Sequence, residues 1–162
     1  EWASKIAAIA QPPVWHYIGR IQTNKLRRIV QTGALIHTVC SRKHLSQIQK
    51  HSVALDRVTS CLLQVHLGDE ESKAGVEING LEDLVDFLKT LSHVRVRGLM
   101  TLPPRGEFGV LRNYFKVLAD LGVQHFGVDV ELSMGMSSDL EAAMAQGATM
   151  IRVGTALFGA RE

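Results

Sequence analysis

Six short runs rich in β-branched or apolar residues recur along the chain: VWHYI (14–18), ALIHTV (34–39), CLLQVHL (61–67), VRVRGL (94–99), VDVELS (128–133) and TMIRV (149–153). Stretches with helical spacing separate them. Between the third and fourth runs Leu81, Leu84, Val85 and Leu88 share one helical face, and between the fourth and fifth Phe108, Leu111, Phe115 and Leu118 do the same. Ser138-Asp-Leu-Glu141 has the spacing of a capping box, and Gly147 stands where the helix it opens should stop. Strands alternating with helices of this length predict an α/β fold with a parallel sheet, either doubly wound or closed into a TIM-type (β/α) barrel. Periodicity alone does not separate the two. A complete eight-unit barrel takes about 250 residues, so the 162 residues and six runs seen here would make about six of eight strands. No linker, low-complexity segment or charge run divides the chain, and residues 1–162 read as a single domain.

Composition narrows the function classes. With 46% hydrophobic residues the chain can bury a real core. A net charge of +2, from 18 basic and 16 acidic residues, argues against a nucleic-acid surface. No apolar stretch approaches the roughly 20 residues of a membrane span, and no basic start followed by an apolar run suggests a signal peptide. Cys40 and Cys61 each sit in an apolar run and read as free thiols in a reducing compartment, so the protein is expected to be cytoplasmic. No Cys/His/Asp spacing suggests a metal site. The chain opens with Glu1 in a helix-like EWASKIAAIA, so its natural start is expected upstream.

In parallel folds of either kind the chemistry gathers at the carboxyl ends of the strands. After the fifth run comes Ser133-Met-Gly-Met-Ser137-Ser138, and after the sixth Gly154-Thr155. Ser137 and Ser138 open one helix, Gly154 and Thr155 another, and unpaired backbone N–H groups at two neighbouring helix starts suit a phosphate monoester. Arg152, on the strand itself, would reach the rest of the ligand with a guanidinium that only donates. The plain alternative is that these are ordinary caps and a turn, with Arg152 a paired strand-end charge. His16, His37 and His66 lie within strands, where a hydrogen-bonded core or rim histidine is the ordinary reading; His16, nearest its strand's end, is the candidate to line a pocket. Met134 and Met136 would pack around a ligand ring or in the core.

LSMGMSSDLEAAMAQGATMIRVGTALFGAR closely resembles the C-terminal signature of the pyridoxal phosphate homeostasis proteins, which share the alanine-racemase-type barrel. WHYIGRIQTNK (15–25), ESKAG (71–75) and VRGLMTLPP (96–104) resemble that family's successive motifs, in its order. The resemblance implies pyridoxal 5′-phosphate as the ligand. It places the phosphate contacts on Ser137, Gly154 and Thr155 and the pyridine-nitrogen contact on Arg152. Met134 and His16 would line the cofactor, and Lys73 matches a lysine of the family's loop motif. An arginine facing the ring nitrogen disfavours its protonation and makes the ring a weaker electron sink.

One departure is plain. The family carries its Schiff-base lysine on a strand preceding everything seen here, followed by a strand with an FGENY-like motif, and neither segment is present. The resemblance therefore implies a barrel shortened at its N-terminus, with no lysine assignable to the aldehyde. It implies a cofactor-binding protein of vitamin B6 homeostasis that binds, buffers and hands on pyridoxal phosphate to apoenzymes, as a monomer or weak dimer, rather than an enzyme. The alternative is an amino-acid racemase or decarboxylase on the same barrel. Racemisation needs acid–base groups on both faces of the substrate carbon, and the related racemases draw one from an additional C-terminal β-domain.

Overall fold

The computed structural model describes residues 13–68 and 74–159. Six strands, β1 (His16–Tyr17), β2 (Leu35–Val39), β3 (Thr59–Val65), β4 (Val94–Thr101), β5 (Glu131–Met136) and β6 (Met150–Arg152), alternate with helices. A 3-10 turn at Thr23–Lys25 leads into α1 (Leu26–Gln31), and α2 (Arg42–Ala54), α3 (Ile78–Leu88), α4 (Phe108–Phe126), α5 (Leu140–Met144) and α6 (Thr155–Phe158) follow. All neighbouring strands are parallel and their spatial order is β1-β2-β3-β4-β5-β6. A doubly wound sheet reverses its strand order at a switch point; this one never does. The winding is that of a partial (β/α) barrel, an open half-barrel in which β1 and β6 each have one neighbour among the described residues.

Residue parity along the strands sorts the core into two layers. Ile36, Cys61, Leu63, Leu99, Leu132 and Met134 face the helices, meeting Leu45 and Ile48 of α2, Leu81 and Leu84 of α3, and Leu111, Phe115 and Leu118 of α4. Leu35, Leu62 and Met100 fill the concave side as a smaller cluster. Full burial of a side chain such as Phe115 contributes about 1.5–3 kcal/mol. The helix starts are local: Ser41 sits extended before α2 and its Oγ accepts the His44 amide at 3.2 Å.

Several expectations need correction. The fifth strand begins at Glu131 rather than Val128, because Gly127 ends α4 with φ +84° and a Val130 N–H to Gly127 carbonyl turn intervenes, leaving Val128 exposed. The strand also runs on to Met136, so Ser133 is mid-strand rather than at its end. Phe108, the first residue of α4, is exposed, while Leu111, Phe115 and Leu118 are buried as their spacing predicts. The capping box at Ser138 does not form. Asp139 takes the cap position of α5, and its carboxylate instead accepts the Met136 amide behind it. Gly147, at φ +80°, does follow the helix end. The helix-like run 1–10 lies outside the described residues. Among the described residues no helix is long and apolar enough to cross a membrane, and no group of three His, Cys, Asp or Glu residues could hold a metal ion.

Candidate functional site

Six parallel strands open their carboxyl ends on one side, and there a cavity of about 1160 Å³ lies between the β1, β5 and β6 ends and the 102–106 loop. The sheet register pairs Met136 with Arg152. The turns that follow, Ser137-Ser138-Asp139 and Val153-Gly154, therefore leave adjacent strands at the same height, and both line the cavity. Gly154 has φ −118°, outside the left-handed region that calls for glycine, and a Cβ placed there would meet nothing within 4 Å. Packing does not demand this glycine; a side chain would simply occupy space over the turn. Ser137 and Thr155 are exposed to the cavity, and neither hydroxyl has a partner among the described residues.

Arg152 forms part of the wall. Its Nη1 donates to the Ser133 carbonyl at 2.9 Å and to Ser133 Oγ at 2.8 Å, and its Nη2 donates to the Thr101 carbonyl at 2.8 Å. Three strands are tied through one guanidinium. Burial lowers its pKa, an effect the Asp139 charge opposes, yet a guanidinium remains protonated at any ordinary pH. Nε is buried and has no partner among the described residues. A fixed cationic N–H without an acceptor, in the wall of a cavity, fits a ring nitrogen or another neutral acceptor on a bound molecule.

Behind Arg152 the polar contacts continue. His37 Nδ1 lies 2.8 Å from Ser133 Oγ, and His37 Nε2 lies 2.9 Å from His16 Nδ1. His37 is 2% exposed. Burial, aided by the His16 and Arg152 charges, lowers its pKa to about 4 from the ordinary 6.5. The unfolded chain thus takes up this proton first. Stability should be fully present above about pH 6.5 and fall as the pH drops toward 4, by about 3 kcal/mol. Urea unfolding midpoints at pH 7, 5.5 and 4.5 should show this slope, and His37→Phe should flatten it; parallel slopes in both proteins would assign the loss to other groups.

The residues singled out in the sequence do not all reach the cavity. Ser137, Arg152, Gly154, Thr155 and His16 line it. Met134 does not: it is fully buried among the helix-facing residues. Ser133 points inward to His37 and Arg152, so its neighbour must point outward. At Gly135, with φ +93°, the β5–β6 register shifts, and Met136 rather than Met134 comes to the cavity. Only glycine tolerates that backbone here, since a Cβ would also stand 2.6 Å from the Ala143 side chain. Lys73 lies outside the described residues, and no lysine among them lines the cavity.

Sequence reading passed over Ser133 as a functional residue and gave His37 its ordinary role. The available signal was diluted: His37 shares ALIHTV with Thr38, and Ser133 shares VDVELS with Asp129 and Glu131. Such residues are buried only with partners, but the sequence does not say that they partner each other. His66 is buried, but it stands one residue beyond the end of β3 at Val65 rather than within the strand.

Comparison with known proteins agrees with this architecture. The family model described as alanine racemase, N-terminal domain, matches residues 5–162. A pyridoxal phosphate homeostasis protein of Aquifex aeolicus is 40% identical over 153 residues, covering 91% of this chain and 67% of its own length. Its counterpart in Escherichia coli K12 is 37% identical, with 91% and 65% covered. The chain thus spans about two thirds of the length of these relatives. Among solved structures, PipY of Synechococcus elongatus with pyridoxal phosphate bound superposes with a TM-score of 0.86 at 32% identity, over 96% of this chain and 74% of that one. The chain belongs to the pyridoxal phosphate homeostasis protein family, built on the alanine racemase N-terminal fold.

Proposed function

We propose that this chain binds pyridoxal 5′-phosphate and serves vitamin B6 homeostasis, holding and buffering the cofactor and handing it to apoenzymes. The observation that carries this reading is the unpartnered Arg152 Nε buried beside two small-residue turns. Ser137, Gly154 and Thr155 would hold the phosphate, where backbone N–H groups and hydroxyls can approach it closely. Arg152 would donate to the pyridine nitrogen and discourage its protonation. Bound there, the cofactor supplies a reactive aldehyde on an electron-withdrawing ring that this arginine keeps less electron-demanding than an acidic partner would. His16 and Met136 would border the ring.

The names of these relatives favour a homeostasis role over an amino-acid racemase or decarboxylase. Two unpaired cysteines, Cys40 and Cys61, fit a reducing, cytoplasmic setting. As a working assembly we take a single 162-residue domain acting as a monomer or weak dimer.

Absorbance titration with pyridoxal phosphate tests the reading, saturable binding with a shifted cofactor band being the expected result. Incubating the loaded protein with D- and L-amino acids then separates carrier from enzyme, since sustained racemisation or decarboxylation would reject the carrier. Ser137→Ala should weaken cofactor binding by about 1–3 kcal/mol, the scale of a hydrogen bond to a charged group, as read by equilibrium dialysis. No measurable loss would move the phosphate elsewhere.

A further inference from the structure

The contacts running from Arg152 through Ser133 and His37 to His16 have a direction as well as a length. Arginine has donors only. Its Nη1–H must therefore give to Ser133 Oγ across 2.8 Å. Ser133 is fully buried, so its hydroxyl hydrogen needs an acceptor, and the one acceptor it contacts among the described residues is His37 Nδ1 at 2.8 Å. With Nδ1 accepting, the neutral ring carries its hydrogen on Nε2 and gives it to His16 Nδ1 at 2.9 Å. His16 in turn keeps its hydrogen on Nε2. That atom has no partner among the described residues, and the His16 ring lines the cavity.

We infer that the obligate donor Arg152 imposes one order on the whole line, so that His16 is a positioning residue holding an Nε2–H out to an oxygen acceptor of the bound ligand. The opposite order would leave the Ser133 hydroxyl hydrogen buried without a partner and would present a lone pair to the cavity, repelling an anionic oxygen. His16 and His37 also stand 5.0 Å apart, centre to centre, and tilted by 49°, so the Nδ1–Nε2 contact is made nearly edge to edge rather than by stacking. For the ligand's identity the inference rests on the function proposed above: the ring of pyridoxal phosphate bears oxygen substituents that accept, while an inorganic phosphate reaches only the two turns.

Long-range proton–nitrogen correlation spectra of the 15N-labelled chain at pH 8, without ligand, read the tautomers directly. Both His37 and His16 should appear as Nε2–H forms, and Ser133→Ala should release both into tautomer mixtures. An Nδ1–H form of His37, or a His16 tautomer unmoved by Ser133→Ala, would overturn the ordered line. His16→Phe titrated with pyridoxal phosphate and, separately, with inorganic phosphate tests the outward donor. Loss of one hydrogen bond should weaken the first about tenfold and leave the second unchanged. Equal cofactor affinity in variant and parent would overturn the donor role. A parent chain that binds neither probe would refute the proposed function, while the tautomer pattern would still decide the ordered line.

Discussion

Arg152→Ala is expected to cost this chain both its ligand and part of its fold. The guanidinium ties β6 to the carbonyls of Ser133 on β5 and Thr101 on β4, and Ser133 and Thr101 are both fully buried. Truncation leaves those acceptors unpaired and Ser133 Oγ without its donor. Each of the three buried groups so stranded costs about 1–3 kcal/mol, so a loss of at least about 3 kcal/mol in unfolding free energy is expected. The ring nitrogen would lose its partner at the same time, weakening cofactor binding by about 10- to 100-fold for one charge-assisted hydrogen bond. Arg152→Lys keeps the charge but not the fork or Nε, and should recover some stability without recovering the parent's cofactor band. Urea denaturation and absorbance titration of the two variants separate the effects. An unchanged spectrum and affinity in Arg152→Ala would remove the arginine from the site.

Gly98→Ala should be more damaging to the fold than any other single methyl group added to the sheet. Gly98 faces Glu131 in the β4–β5 ladder, and a Cβ there would fall 1.9 Å from the Glu131 carbonyl oxygen and 2.7 Å from its carbon. Backbone cannot swing aside as a side chain can. The strands must separate, and the next rungs of the same ladder are Leu99 with Leu132 and Met100 with Ser133, so the displacement reaches the residue that anchors Arg152. Overpacking against rigid neighbours costs about 1–3 kcal/mol and more when backbone must move; loss of cooperative unfolding is the expected result by circular dichroism. Gly109→Ala provides the contrast. It lies in the first turn of α4 with nothing within 4 Å of the new methyl, and alanine is the better helix former by up to about 1 kcal/mol, so it should be neutral or stabilising. Similar melting of the two variants would show that the close approach at Gly98 is relieved by other means.

Helical periodicity was legible locally, and the failures lie at the ends of elements, the capping box that does not form at Ser138 among them. Leu111, Phe115 and Leu118 are buried because a helical period depends only on residues three and four apart. Phe108 escapes burial because it opens its helix, beyond the reach of the sheet. In the fifth strand the alternation of VDVELS keeps its frame, Val130 and Leu132 being buried, and the turn at Gly127 moved only the start, by three residues. The strand also runs on to Met136, so the same alternation leaves Ser133 on the inner face and carries Met134 to the helix side with Leu132. Alternate residues of a strand face opposite sides, so ending the run at Ser133 left out the face that Met134 would join.

The sequence by itself determined the succession of parallel βα units, the two clusters of small residues that end the fifth and sixth of them, and the lone strand-borne arginine between those clusters. These follow from periods, turns and residue chemistry that act over a few neighbouring positions. Tertiary structure alone decided that the strands wind in unbroken order, that Ser133 turns inward, and that His37 meets it across 96 positions of sequence. Long-range register and burial make those choices, because a buried hydroxyl and imidazole must find each other or go unsatisfied, and no short stretch of chain encodes where the partner will stand.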